Sequence, residues 1–254
     1  LMLKDALDYA DANHEQQLGE LMELLAIPSI STVPEARVDI HRAARWLADH
    51  LRMIGCTRVG IWPTAGHPAV YGEWLGAGPD RPTVLVYGHY DVQPADPRDA
   101  WATPPFKPTV QHGAVYARGA TDGTGQMFVH AKAVAPYLRA VARLPVNVKF
   151  IIEGEEEIGS ANLNACLLDH RDALRADIVL ISDSHMLAQN TPTIVYGLRG
   201  LAYLEVEGRG PAQDLHSGTF GGAVYNPAQA LCEIIAQLKD EQGRITIPGF
   251  YNRV

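Results

Sequence analysis

The chain has 254 residues, of which 47% are hydrophobic and 20% are charged, and its formal net charge is −8 at pH 7. This composition is that of a globular protein with room for one large or two modest domains. It contains no basic run that would indicate a nucleic-acid partner and no apolar run long enough to span a bilayer. Three cysteines without CxxC spacing argue against a disulfide framework and favour a cytoplasmic location.

The first part of the chain predicts helices followed by strands. Residues 1–26, which begin polar and Ala-rich and continue with apolar positions, predict helical structure that stops at Pro28. Residues 38–54 repeat apolar side chains at helical spacing. Residues 58–62 and 70–74 predict strands, with turn residues between them.

The stretch at residues 84–93, VLVYGHYDVQ, predicts a buried strand that ends in polar side chains. His89 and Asp91 follow the apolar run and, being two residues apart, lie on the same side of an extended backbone. The carboxyl edge of a parallel sheet is where α/β proteins bind ligands. The pair therefore indicates either a metal-binding His with an orienting carboxylate or a structural His at a strand end.

A long Pro-rich loop, residues 94–112, leads to the Gly-rich sequence VYARGATDGTG at residues 115–125. Loops of this length are often functional. The glycines match neither GxxxxGK(S/T) nor GxGxxG, so a phosphate-binding loop is not indicated. Asp122 lies in the turn before a helix predicted for residues 126–141. It is either the N-cap of that helix or a carboxylate placed between two metals.

A second buried strand is predicted for residues 144–153, and it runs into three consecutive glutamates at positions 155–157. Like charges repel, so one of these carboxylates would take up a proton unless a cation neutralises the cluster. An exposed acidic loop is the alternative interpretation. Ser160 is predicted to cap the helix that follows.

A third apolar strand, residues 177–183, ends in Asp183. Three strands therefore end in possible ligands, because His89 and the pair Glu156 and Glu157 lie at the other two tips. Nitrogen and oxygen ligands without cysteine suit zinc, cobalt or manganese. Any one of these residues could be structural, but the repeated arrangement favours a metal site. The pattern predicts an α/β fold with a mostly parallel sheet flanked by helices.

The hydrophobic pattern changes in the last quarter of the chain from continuous apolar runs to alternation, and this change predicts a second domain. Residues 193–196 and 200–208 predict strands, and the alternation in the second one predicts a sheet with one wet face. The motif DLHSGTFGG follows, and residues 226–239 predict a helix. We place a metal-binding catalytic domain at residues 1–197 and the beginning of a smaller α+β lid or dimerisation domain at residues 198–254.

Taken together, the motifs resemble those of the di-zinc aminoacylase/carboxypeptidase-like metallopeptidases, and within that group the carnosinase-type cytosolic dipeptidases. The matching stretches are GHYDVQPADP, VYARGATDG, LPVNVKFIIEGEEEIGS, ISD, YGLRG, DLHSGTFGG and ITIPGFY. They span nearly the whole chain in family order. The resemblance implies a metallopeptidase that uses two divalent ions, with zinc as the first choice and manganese or cobalt as alternatives.

The same resemblance implies a metal-binding role for several residues of this chain. His89 and Asp183 would hold one metal. Asp122 would bridge the two metals, and Glu157 would hold the second. Asp91 would hydrogen-bond the far nitrogen of His89 and so fix its tautomer.

Three further roles follow from the resemblance. Glu156 would be the general base. His216, in the LHSG motif of the lid domain, would contact the substrate across a dimer interface, and Arg199 matches a substrate-binding position of the family. The implied partners are a small peptide substrate and a second copy of the chain.

The chain departs from the family pattern in two places. Gly123 and Thr124 stand where the family has an acidic or amide residue followed by Lys, which leaves the local turn geometry open. Family members also carry a further His ligand near their C-terminus, and this chain ends before it. The second metal would then keep only Asp122 and Glu157, so we expect the chain to be a fragment of a longer protein. His185 is expected to be a loop residue without a ligand role.

The leading functional prediction is hydrolysis of the amide bond of dipeptides or small peptides by a metal-activated water, with Glu156 as general base. An N-acyl amino acid amidohydrolase, which would use the same residues, is the neighbouring alternative. A non-catalytic metal-binding or dimerisation fragment is the alternative from another class, motivated by the absent ligand. A nucleotide-binding protein is the most remote interpretation.

Overall fold

The computed structural model describes residues 2–188 and 190–252 and divides the chain into two compact units. The first unit ends at Ile194 and the second begins at Val195, three residues before the predicted start of the lid domain. The assignment of a catalytic and a lid role to these units stays a prediction.

The helices of the first unit follow the predicted order. They are α1 (Met2–Ala12), α2 (His14–Leu25), α3 (Arg37–Ile54), α4 (Thr124–Pro136) and α5 (Leu163–Asp169). Helix α3 ends where Gly55 adopts a left-handed backbone with φ 112°, a conformation that glycine adopts without a steric cost. A short π-helical turn, Tyr137–Val141, continues α4. Within the described residues, no helix combines the length and the hydropathy needed to cross a membrane.

The central sheet of the first unit has five strands, namely β1 (Arg58–Trp62), β2 (Ala69–Trp74), β3 (Thr83–His89), β6 (Asn147–Glu153) and β7 (Ile178–Ile181). Their order across the sheet is β1-β2-β6-β3-β7. Strands β6, β3 and β7 are parallel, whereas β1 and β2 join the sheet antiparallel. The α/β fold is confirmed, with a mixed sheet whose parallel strands lead to His89, to the pair Glu156 and Glu157, and to Asp183. The carboxyl ends of the three parallel strands therefore meet at one edge.

Helices pack on both faces of β6, whose successive residues point to opposite faces of the sheet. Phe150 packs with α3 and α4 in the larger core cluster, together with Leu47 and Met127. Ile151 faces the other way and packs with Cys166 of α5. All seven residues of β6 are buried, as the apolar run predicted.

The predicted loop at residues 94–112 is partly regular. It contains a short 3-10 turn, Arg98–Ala100, and the strand β4 (Thr109–Gln111). Strand β4 pairs antiparallel with β5 (Ala114–Tyr116) to form a separate two-stranded sheet. The loop prediction was wrong for β4, because a three-residue strand is too short to show alternation.

Strand β7 lies at the edge of the sheet, and its apolar side chains are not buried. Each of its four residues is exposed, from 38% at Leu180 to 59% at Val179 and Ile181. The run is apolar like β3 and β6, but a strand is buried only if neighbouring elements cover it. The described residues leave the side chains on both faces of β7 largely exposed.

Ser160 does not cap a helix, so that prediction was wrong. The residue has φ 53°, and its hydroxyl donates to Glu153 Oε1 at 2.9 Å. Helix α5 begins three residues later, and Asn162 is its N-cap residue.

The second unit contains α6 (Ser217–Phe220) and α7 (Pro227–Gln237). Helix α7 agrees with the predicted helix, and the Asn226 side chain caps it by accepting the backbone N–H of Ala228 at 2.9 Å. The strands predicted at residues 193–196 and 200–208 are wrong, because both segments are irregular in the structure. Alternating apolar and polar side chains would give a strand one apolar face, but a strand is stable only when a neighbouring strand pairs with it.

Candidate metal centre

His89 is the centre of the candidate site. It ends β3 and its side chain is 0% exposed, yet its Nε2 atom has no hydrogen-bond partner. Nε2 lies 3.6 Å from Asp183 Oδ2, 3.9 Å from Asp122 Oδ1 and 3.9 Å from Glu156 Oε2. A buried ring nitrogen without a partner is costly, and three carboxylates facing it repel one another. A divalent cation would satisfy the nitrogen and neutralise the carboxylates.

Two groups of potential ligand atoms meet at His89. One group is His89, Asp122 and Asp183, and the other is His89, Glu156 and Glu157. Each residue offers one ligand atom, and the ligand atoms of a group lie within 4.8 Å of one another. The residues present therefore fit divalent metal ions. Among the described residues, no such group contains both Asp122 and Glu157, which the family resemblance assigns to the second metal.

Asp91 is fully buried and connects His89 with the acidic turn after β6. The ring nitrogen Nδ1 of His89 lies 3.0 Å from the Asp91 backbone carbonyl and 3.4 Å from its carboxylate. Both partners are acceptors, so Nδ1 carries a proton and Nε2 is the atom left to bind a metal. The Asp91 carboxylate also accepts the backbone N–H of Glu156 at 3.2 Å and of Glu157 at 3.1 Å. Asp91 thus positions both His89 and the backbone of Glu156 and Glu157. The sequence interpretation had predicted only its contact with His89.

Gln93 is a site residue that the sequence interpretation missed. Its side-chain amide donates to Glu157 Oε2 at 2.9 Å and to the Glu157 backbone carbonyl at 3.0 Å. His89, Asp91 and Gln93 are two residues apart along an extended chain and therefore share one side. Extending that spacing by one more position would have identified Gln93.

Gly123 explains how Asp122 approaches His89. Its φ is 69°, and a Cβ at this position would lie 2.0 Å from His89 Nε2. A side chain here would collide with the imidazole, so the departure from the family pattern suits this turn. The N-cap interpretation of Asp122 was wrong, because the cap residue of α4 is Gly123 and no side chain caps the helix.

Asp183 and His185 both follow β7, but only Asp183 approaches His89. Asp183 follows β7 after one residue, and its carboxylate reaches the His89 ring. His185 is exposed and belongs to neither ligand group, in agreement with its interpretation as a loop residue.

Glu155, the first glutamate of the run, has a structural position that the sequence did not reveal. It is 5% exposed, and its carboxylate accepts the backbone N–H of His67 at 2.9 Å. It also accepts the backbone N–H of Asn162 at 3.3 Å and the Asn162 side-chain amide at 2.9 Å. Glu155 therefore ties the acidic turn to the segment before β2 and to the start of α5.

The variant Glu155→Leu is expected to lower the free energy of unfolding by about 2–4 kcal/mol, because it leaves buried N–H groups without acceptors. Urea unfolding monitored by circular dichroism measures the loss. Glu155→Gln keeps one acceptor oxygen and should lose less. Equal stability of the Leu variant and the wild type would contradict this role.

The protonation of the site follows from its charges. Burial by itself lowers the pKa of His89, but the hydrogen bond and charge of Asp91, with the charges of Asp183 and Glu156, raise this pKa to about 9. Burial raises the pKa of Glu156; the His89 charge opposes this effect, and Asp183, Glu157 and Asp91 reinforce it. A raised pKa suits a carboxylate that takes up a proton near neutral pH.

Metal affinity is expected to increase with pH up to the His89 pKa of about 9. Below that pH the metal-free imidazole is protonated, so a metal must displace one proton, and the apparent affinity should rise by up to about tenfold per pH unit. Chelator competition from about pH 6.5 to about pH 8.5 measures the slope. His185→Ala should keep the slope, whereas an affinity independent of pH would contradict the prediction.

His216 and Arg199 belong to the second unit. His216 is exposed and is the N-cap residue of α6, where its Nδ1 accepts the backbone N–H of Gly218 at 3.0 Å. Arg199 is exposed in the irregular segment before α6. The substrate-binding roles of both residues stay predictions.

The fold and the carboxylate-rich site agree with a family assignment. Residues 85–249 match the model of peptidase family M20/M25/M40, and the chain belongs to this family. Its M20 members are metallopeptidases that use divalent metal ions. The resemblance stated from the sequence motifs is thereby confirmed.

The similar proteins include dipeptidases. The Beta-Ala-His dipeptidase of Homo sapiens is 37% identical over 100% of this chain and 52% of its own length. The Cys-Gly metallodipeptidase dug1 of Schizosaccharomyces pombe is 33% identical over 100% of this chain and 56% of its own length. The crystal structure of human carnosine dipeptidase 1 matches with a TM-score of 0.83 and 35% identity, covering 99% of this chain and 55% of that one. The chain spans about half the length of these relatives.

Proposed function

We propose that the chain is the metal-binding part of a dipeptidase that hydrolyses the amide bond of dipeptides or small peptides. One observation carries the proposal: a fully buried His89 presents an unpartnered Nε2 to the carboxylates of Asp122, Glu156 and Asp183. Membership of peptidase family M20/M25/M40 and the dipeptidase relatives support it.

Two divalent ions, with zinc as the first choice, are part of the proposal. His89 and Asp183 would hold one ion, Asp122 would bridge, and Glu157 would hold the other. Such ions, when bound, acidify water and polarise a substrate carbonyl. Asp91 and Gln93 orient the ligands through the hydrogen bonds described above.

Glu156 is proposed as the general base. Its carboxylate is partly exposed, its pKa is raised, and its backbone is held by Asp91. It takes a proton from the attacking water and delivers this proton to the leaving amine. His216 is proposed to stabilise the negative charge that develops on the carbonyl oxygen. Arg199 is proposed to contact the substrate.

Substrate profiling with added zinc, manganese or cobalt tests the proposal on this chain. Hydrolysis of dipeptides with two bound metals per chain is the expected result. Turnover of N-acyl amino acids without turnover of dipeptides would replace the dipeptidase by the amidohydrolase alternative.

A non-catalytic metal-binding fragment is the second candidate. It is favoured by one observation, namely that no described ligand group unites Asp122 with Glu157. In the assignment implied by the family resemblance, the second metal keeps only Asp122 and Glu157, whereas an ordinary catalytic zinc site has three protein ligands. Metal binding without turnover of any dipeptide would support the fragment over the enzyme.

A homodimer formed through the second unit, with His216 acting across the interface, is also proposed. Mixing the inactive variants Glu156→Gln and His216→Ala should then restore part of the activity, because a hybrid dimer contains one intact combination of the two residues. Activity after subunit exchange, verified by mass spectrometry, measures this. Mixing Glu156→Gln with itself is the control, and verified exchange without recovered activity would contradict the proposal.

The location of the protein is proposed to be cytoplasmic. Cys56, Cys166 and Cys232 are all free, and Cys232 is exposed, which suits a reducing compartment.

A further inference from the structure

Strand β7 ends two residues before Asp183, and few side chains pack against it. Its side chains are between 38% and 59% exposed. Its beginning is fixed to β3, because the Asp177 carboxylate accepts the Thr83 N–H at 2.8 Å and the Asp177 N–H donates to the Thr83 carbonyl at 2.9 Å. The ladder with β3 ends at the pair Tyr87 and Ile181. Ser182 and Asp183 follow the last pair of this ladder, so neither the contacts of Asp177 nor the pairing with β3 holds them in place.

A side-chain contact holds this end of the strand. Nε2 of His130, on α4, lies 2.6 Å from the hydroxyl oxygen of Ser182, the residue directly before Asp183. Helix α4 begins two residues after Asp122. The helix therefore connects two members of one ligand group. Asp122 precedes its first turn, and His130 contacts the side-chain hydroxyl of Ser182, the residue next to Asp183.

We propose that His130 is a positioning residue for the metal centre, which it serves by holding Ser182 and thereby the Asp183 carboxylate against His89. The inference rests on the proposed function, since it concerns the affinity of the proposed metal site. His130 belongs to neither ligand group, so the role proposed for it is to position Asp183.

The chemistry of the contact suits this role. Burial lowers the pKa of His130, so its ring is neutral at pH 7 and adds no positive charge beside a cation site. A hydrogen bond between the Ser182 hydroxyl and a neutral imidazole restrains the serine side chain without adding a positive charge that would attract the Asp183 carboxylate. Residues that orient metal ligands typically change metal affinity by about 10–100-fold when they are removed.

A double-mutant cycle on metal affinity tests the proposal. His130→Ala and Ser182→Ala should each weaken metal binding by about 10–100-fold in chelator competition. The double variant should lose no more than either single variant, because all three lack the same hydrogen bond. His130→Gln, which keeps a polar group near the Nε2 position, should recover part of the affinity. Val129→Ala, at the exposed neighbouring position of α4, is the matched control and should bind metal like the wild type.

Several outcomes would overturn the inference. Wild-type affinity in Ser182→Ala, or losses that add in the double variant, would show that His130 does not act through Ser182. Because His130→Ala removes a half-buried side chain, urea unfolding of the metal-free variants is measured as well. If His130→Ala proves unfolded, Ser182→Ala and His130→Gln decide the question.

The result also separates this inference from the proposed function. A wild-type chain that binds no divalent metal would overturn both. A wild-type chain that binds metal and hydrolyses dipeptides with a requirement for Glu156, but whose Ser182→Ala variant keeps full metal affinity, would overturn only the role of His130.

Discussion

Glu156→Gln is expected to abolish turnover of dipeptides while leaving the bound metal in place. The amide has nearly the shape of the carboxylate but cannot take a proton from water, so kcat should fall by about 10²–10⁴-fold. Glu156 is partly exposed, and its backbone N–H remains bonded to Asp91, so the acidic turn should keep its geometry. Steady-state kinetics and metal analysis of the same preparation measure the two quantities.

The exposed residue Glu15 on α2 provides the matched control, because Glu15→Gln makes the same chemical change away from the site. That variant should keep the wild-type kcat. If Glu156→Gln retained full activity with full metal content, Glu156 could not be the general base. If its metal content fell, the residue would be a ligand, as its place in the group with His89 and Glu157 also allows.

Asp122→Ala is expected to remove both metals. Asp122 is the proposed bridge, and its carboxylate lies 3.9 Å from His89 Nε2 in the same group as Asp183. Loss of a direct ligand should lower metal affinity by more than the roughly 10–100-fold caused by removing an orienting residue. Plasma emission analysis after dialysis against a weak chelator measures the content per chain.

Fold stability should change little in this variant, because the Asp122 side chain is 56% exposed and three carboxylates repel one another less when one is absent. Asp11→Ala, on the exposed side of α1, is the matched control and should keep both metals. Full metal occupancy in Asp122→Ala would show that the bridge assignment is wrong. Loss of only one metal would make Asp122 a ligand of a single site.

Much of the site could be predicted from local patterns. An apolar run followed by a polar residue identifies β3, β6 and β7, and it places His89, the acidic pair and Asp183 at their ends. Those predictions succeed because strand formation and side-chain direction depend on neighbours within a few residues. Asp122 was left open between an N-cap and a ligand role, and only the structure showed that Gly123 is the cap residue and that the Asp122 carboxylate lies 3.9 Å from His89 Nε2.

Other features could not be predicted because they depend on contacts between distant residues. The strand predicted at residues 200–208 has the alternation of a sheet with one exposed face, yet this segment and residues 193–196 are irregular and pair with no strand among the described residues. The apolar sequence of β7 likewise says nothing about whether another element covers it. Ser160 illustrates the same limit, since its hydroxyl bonds Glu153 of the preceding strand instead of capping α5.

The sequence by itself determined the family, the α/β class and the residue types of the candidate metal site, because these reside in short motifs and local hydrophobic patterns. Only the tertiary structure decided how the ligands are held. Asp91 reaches the backbone of Glu156 across 65 residues, Gln93 reaches Glu157 across 64, and His130 reaches Ser182 across 52. These hydrogen bonds exist only after the parallel strands bring their carboxyl ends to one edge of the sheet.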